Sequence, residues 1–234
     1  MAVTTTVARK SPSGTGPDAP VLPGTAPLSE RSRRLREDVL NDAAQFAEQA
    51  LHFAASFRQT EGEPSREVRV AKAVAHLFAE MPIRIRESEI LAGWHPNSHP
   101  DEQEAKAIEE AQRYLGRQRW RTYVSEGHMA PDYPTVLHLG LDAVLQRISD
   151  GVAGLDPTRP DTPEKEAFYQ ASRIALEGFQ SFILRYARLA QEMSEQAEDM
   201  ARAEELKEIS GACSRIAHAP PRNLREAIQP SWFM

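Results

Sequence analysis

The chain has 234 residues, of which 41% are hydrophobic and 26% charged, with a formal net charge of −6. That length can bury a sizeable core, and the composition suits a globular protein better than a disordered one. The acidic balance disfavours nucleic acid or anionic lipid as the main partner, and no apolar run is long enough to span a bilayer.

Residues 1–27 are rich in Thr, Pro, Gly and Ser with few large apolar side chains. Such a segment cannot offset its ordering entropy and reads as a disordered tail with no secretory signal in it. Ordered structure is expected from 28 to 234. Ser29 is placed to cap a first helix, whose apolar stripe is Leu35, Val39, Ala43, Phe46, Ala50, Phe53 and Phe57. "TEGEPS" breaks it, and a helix carrying Val70, Val74, Leu77 and Phe78 runs to Pro82.

In "PIRIRESEILAGW", Ile83 and Ile85 alternate with Arg84 and Arg86, which predicts a short strand. Asp101 with Glu104 forms a capping box for the next helix. Then comes "SEGHMAPDYPTVLHLGL", a turn-rich stretch leading into a helix expected over 134–150. Thr162 as cap and Pro163 at the first position open a long helical pattern reaching about residue 209, which either crosses a large domain or bends near Gly178. Asn223 and Glu226 make a second capping box before the apolar ending with Ile228, Trp232 and Phe233. The fold class is mainly α: long helices with one or two short strands.

Several constellations invite chemistry. His95 and His99 are four apart, but adjacent prolines prevent helical alignment, so "HPNSHPDE" reads as a solvated loop and not a metal site. Cys213 is the only cysteine, which rules out an internal disulfide or a Cys-built zinc cluster and fits a reducing cytoplasm. It reads as a buried small apolar residue because a helix C-terminus disfavours a thiolate. Arg202, Glu204, Glu205, Lys207 and Glu208 read as a charge-laced solvent face. His128, Asp132 and Tyr133 form a polar cluster in a loop beside an apolar helix, which is either a helix start with its turn or part of a pocket.

The ordered blocks "REVRVAKAVAHLFAEMPIRIRESEILAGW", "EGHMAPDYPTVLHLGLDAVLQRI", "EAFYQASRIALEGFQSFILRYARLAQEM" and "RAEELKEISGACSRIAHAPPRNLREAIQPSWF" resemble the N-terminal part of glycyl radical enzymes of the pyruvate formate-lyase family. The Gly-His-x-x-Pro-Asp-Tyr block is more similar to the dehydratase and C–X lyase branch than to pyruvate formate-lyase itself. The resemblance implies the N-terminal helical portion of a much longer cytoplasmic enzyme, usually dimeric and built as an α/β barrel. In that family an activating enzyme using S-adenosylmethionine and an iron–sulfur cluster installs a glycyl radical, which passes to a cysteine that attacks substrate.

This chain departs from the pattern. The family's reactive cysteine is followed two residues later by glutamate, whereas Cys213 is followed at that distance by Arg215, and no Arg-Val-x-Gly loop is present. No catalytic residue, metal or bound cofactor is therefore carried over. The resemblance implies His128 as a substrate contact, with Asp132 as second choice. The expected partners are the missing C-terminal part or a companion chain, the activating enzyme, and a second copy in a homodimer, with neither nucleic acid nor membrane. A stand-alone helical binding or scaffold protein derived from the family is the alternative, and a metal enzyme using His95 and His99 a third reading.

Overall fold

The structure, a computed structural model, describes residues 27–41, 48–93, 100–120 and 131–233. The expected tail falls outside them except for Pro27. Nine helices stand in the described residues: α1 (Glu30–Asn41), α2 (Gln49–Gln59), α3 (Arg66–Glu80), α4 (Glu102–Arg117), α5 (Tyr133–Leu139), α6 (Leu141–Ala153), α7 (Thr162–Gln196), α8 (Met200–Ile216) and α9 (Leu224–Phe233). None is long and apolar enough to cross a membrane.

α7 is the axis of the molecule, with 35 residues, a length of about 52 Å at the usual rise per residue. α3 packs on one side of it and α8 on the other, α2 covers α3, α4 covers α2, and α9 covers α8. Phe182, Ile183, Tyr186, Ala187 and Ala190 of α7 are buried among Phe53, Leu77, Ile209 and Cys213 from these neighbours. Full burial of each large side chain contributes roughly 1.5–3 kcal/mol. The N-terminal half of α7 packs chiefly on α6, where Arg173 donates to Ser149 Oγ at 2.8 Å, and Phe168 there is 61% exposed. Gly178 sits where α7 passes α3: an added Cβ would lie 2.8 Å from Ala75 Cα. Its role is close approach, and α7 continues through it as one helix.

The caps read from the sequence are largely present. Ser29 Oγ accepts from Ser32 N at 3.1 Å, and the Asp101–Glu104 capping box is complete. Met81, ahead of Pro82, is extended (ψ 137°) and closes α3. Asn223 Oδ1 accepts from Glu226 N at 2.9 Å, but the Glu226 carboxylate reaches one residue further back, to Arg222 N at 2.7 Å.

Four expectations need correction. Thr162 is the first residue of α7 and not its cap, since its hydroxyl donates to Asp156 O. The long pattern after it is two helices, broken at 197–199, where Ala197 is extended and Asp199 Oδ1 accepts from Ala201 N at 2.9 Å. The helix expected over 134–150 is α5 and α6, divided at Gly140 (φ 78°). There the chain passes so close to 218–220 that an added Cβ would meet Ala219 C, His218 O and Pro220 N, each at 2.7 Å. Finally, no strand exists among the described residues, although Ile85 is buried as the alternation suggested.

Among the described residues the 82–93 segment has no neighbouring strand, and side chains serve as hydrogen-bond partners along it and at the end of α3 that leads into it. Arg185 of α7 donates to Phe78 O (2.6 Å) and Met81 O (2.7 Å). Arg202 of α8 donates to Glu89 O (2.7 Å) and Arg86 O (2.8 Å). Gln229 of α9 pairs with both backbone groups of Ala92, at 2.9 and 2.6 Å. The Glu89 carboxylate folds back on Arg86 N at 3.0 Å, and burial pushes its pKa up. These bonds satisfy a buried backbone that would otherwise be costly.

The same cluster holds α1. Arg31 donates to Ser88 O at 2.9 Å and grips Glu205 with two bonds of 2.7 and 2.5 Å, while Arg202 reaches Glu205 at 2.9 Å. Arg202 and Glu205 are thus structural, and not the solvent face their spacing suggests: the Arg202 side chain is 12% exposed.

These contacts generate two predictions. Gly140→Ala should lower unfolding stability by about 2–4 kcal/mol, since it combines left-handed strain with a backbone clash. Gly211→Ala, which meets nothing within 4 Å in α8, should raise it by about 1 kcal/mol; urea unfolding followed by circular dichroism measures both. The second concerns Glu205, whose pKa is pulled down to about 2, first by its hydrogen bond from Arg31. A depressed folded-state pKa gives stability that is complete above the ordinary carboxylate value near 4.5 and is lost as pH falls through about 2. Glu205→Gln should therefore flatten the stability–pH curve across that interval.

Candidate functional site

The segment entering α5 is the one that the sequence singles out for substrate contact. His128 lies outside the described residues, as do His95 and His99. Asp132 is described: it is exposed and caps α5, with Oδ1 accepting from Thr135 N at 3.2 Å. Hydrogen bonding from Thr135, side chain first and backbone second, lowers its pKa below the usual carboxylate value. Tyr133 opens the helix, with Pro134 in its first turn, where the missing N–H costs nothing.

The chain beyond α5 is held from behind. After Gly140 it turns into α6, and Asp142 N donates to His218 O at 3.0 Å. Asp142 Oδ1 accepts from Gln180 Nε2 at 2.7 Å and lies 3.1 Å from His218 Nδ1. Gln180 Nε2 also reaches Ala217 O at 2.7 Å. Gln180 is 8% exposed, so a buried amide on α7 ties the α5–α6 elbow to the end of α8. Sequence reasoning missed this cluster. Its members are 38 and 37 residues from Gln180, and no local pattern links them.

Cys213 is fully buried in the core, in the second half of α8. Burial pushes its thiol up to about 12, and the Arg225 charge opposes this only in part. A thiol in that setting is not a nucleophile near neutral pH. Arg215, two residues on, donates to Pro220 O at 3.0 Å and pairs with Glu226 at 3.5 Å, which makes it a clamp on the turn before α9.

A cleft of about 660 Å³ opens between α1, the 87–88 turn and the α7–α8 break. Its arginines are engaged within the protein, Arg31 and Arg202 with Glu205, and Arg34 with Glu30 at 3.2 Å. No group of three or more possible metal ligands occurs among the described residues.

Comparison with known proteins gives this arrangement a context. The family model described as "Pyruvate formate lyase-like" matches residues 94–234. The chain is 34% identical over 107 residues to (2S)-3-sulfopropanediol dehydratase of Klebsiella oxytoca, an alignment covering 46% of this chain and 13% of that enzyme. It is 32% identical over 103 residues to isethionate sulfite-lyase of Nitratidesulfovibrio vulgaris, covering 44% of this chain and 12% of the relative. In three dimensions, the B12-independent glycerol dehydratase from Clostridium butyricum, solved with glycerol bound, matches 91% of this chain and 34% of its own, with a TM-score of 0.80 and 23% identity. The chain therefore spans only a minor part of the proteins it matches. The two relatives just named are a dehydratase and a sulfite-lyase, the branch to which the Gly-His-x-x-Pro-Asp-Tyr block points, and decarboxylases of the same family also match. With more than half of its residues inside the family model, the chain belongs to the pyruvate formate lyase-like family of glycyl radical enzymes.

Proposed function

We propose that this chain is the N-terminal helical part of a glycyl radical dehydratase or C–X lyase, forming a wall of the substrate chamber and carrying no radical itself. The observation behind this reading is the fold: nearly the whole chain superposes on about a third of a glycerol dehydratase. The only cysteine does not fit the radical-bearing role, because Cys213 lies within α8 and is followed two residues later by Arg215, whereas the family's reactive cysteine sits on a loop and is followed at that distance by glutamate. In the assembled enzyme, a glycyl radical installed by an S-adenosylmethionine-dependent iron–sulfur activating enzyme supplies the hydrogen-abstraction chemistry. This chain's share is to shape the chamber and exclude water from it.

Within that wall, His128 is the substrate contact that the family resemblance implies, with Asp132 as second choice. A histidine can donate a hydrogen bond or a proton to a departing hydroxyl or other polar group. Asp132, its pKa lowered by Thr135, stays ionised near neutrality and serves as an acceptor that orients a substrate hydroxyl. The substrate class that suits this pair is a small polar molecule with a hydroxyl or another leaving group.

The test is the native product, captured anaerobically from its own cells with an antibody to α7 and weighed intact. The expected result is a chain of 26.1 kDa bound to a companion bearing the family's cysteine and glycine loops, or one longer polypeptide that includes both. A lone chain of that mass overturns the reading in favour of a stand-alone protein. The thiol offers a second check. Cys213 should resist a thiol-specific reagent in the folded chain at mildly alkaline pH and react once the chain is unfolded in urea; prompt reaction in the folded state contradicts its structural role.

A further inference from the structure

α9 carries two faces of opposite character. One is locked into the protein: Glu226 is 4% exposed and Gln229 is 1% exposed. Glu226 is held by Arg222 at 2.7 Å and by Arg215 at 3.5 Å, and Gln229 by both backbone groups of Ala92. The other face shows Leu224, 75% exposed, and Ile228, 42% exposed, one turn apart on the same side. Ile90, 46% exposed, lies beside them, its carbonyl accepting from Arg225 Nη2 at 3.1 Å. The cations bordering this ridge are paired within the chain, Arg225 with Glu208 and Arg222 with Glu226. The surface therefore selects an apolar partner and not an acidic one.

We propose that the Leu224–Ile228 ridge, with Ile90 at its edge, is the surface on which the remainder of the barrel packs, whether that remainder belongs to the same polypeptide or to a companion. This rests on the functional reading above and adds to it the place of contact. The occupant is indicated by the part of the fold left over: this chain matches 34% of the Clostridium butyricum chain, so about two-thirds of that architecture comes from outside these residues. A helix whose back is anchored by four hydrogen-bonding side chains presents its apolar front without mobility to be lost on docking, which favours association.

The experiment introduces Leu224→Cys at the native locus and measures maleimide labelling in the isolated chain and in the enzyme assembled in its own cells. Cys213 is buried and leaves the introduced thiol as the reactive one in the isolated chain; in the assembled enzyme labelling is read on the peptide that carries position 224, so cysteines elsewhere do not contribute. The isolated chain should label fast, and the assembled enzyme about tenfold more slowly or less. Leu224→Asp with Ile228→Asp should abolish assembly while leaving the melting of the isolated chain unchanged. Equal labelling in the two states overturns the surface but not the functional reading. Protection in the isolated chain, with a mass of two copies, overturns it in favour of a homodimer contact. If no assembly exists and the chain stands alone, both readings fall.

Discussion

The structure depends on a problem of backbone satisfaction. Residues 82–93 run between the helices as an irregular segment with no strand beside them among the described residues, and their peptide groups need partners. Arg202 of α8 and Gln229 of α9 supply these, while Arg185 of α7 caps the end of α3 that leads into the segment. The arrangement reverses the usual division of labour. Helices here do not merely bury apolar faces against one another; their long polar side chains hold the one irregular segment, and through it α3, α8 and α9 take a common position. α1 joins by the same means, through Arg31 to Ser88 and Glu205.

Around this polar frame the interior is chemically inert. Phe182 and Tyr186 pack edge to face at 5.2 Å, Phe233 closes on Tyr186 at 5.1 Å, and Cys213 fills a small space nearby. Trp120 stacks on Phe53 at 5.7 Å. Such contacts give rigidity and area. The groups with acid–base capacity near the α5–α6 elbow, Asp132, Asp142 and His218, lie at the rim instead.

Much of this was legible in the sequence because it is local. The stripe of α3, the Ser29 and Asp101 caps and the stop at Pro82 each rest on residues within one or two turns. The departures have a common origin in contacts between distant residues. Alternating Ile83 and Ile85 predicts a strand that does not form, because alternation reports the burial of Ile85 but cannot say whether the neighbour is a strand or a set of side chains. Gly140 reads as a tolerable helix glycine until the 218–220 backbone arrives against it. Arg202 and Glu205 look like any surface pair at that spacing, and only Arg31, 174 residues from Glu205, reveals their burial. At the elbow, the turn chemistry of Asp132 was legible as the cap it forms on α5, its substrate role came from the resemblance alone, and Gln180 had no signal beyond being a glutamine on an apolar helix. The family resemblance reached further than periodicity because it carries the record of such long-range contacts.

The Gly140 elbow has a mechanical consequence. Its backbone sits against 218–220, and Asp142 N is bonded to His218 O. The stretch that bears Asp132 and the turn that launches α9 are thus parts of one lever. A force that shifts the start of α9 is transmitted to the segment entering α5, and the reverse holds equally. Thermodynamic linkage then makes any contact that favours one placement of the start of α9 favour the matching placement of the α5–α6 elbow to the same degree.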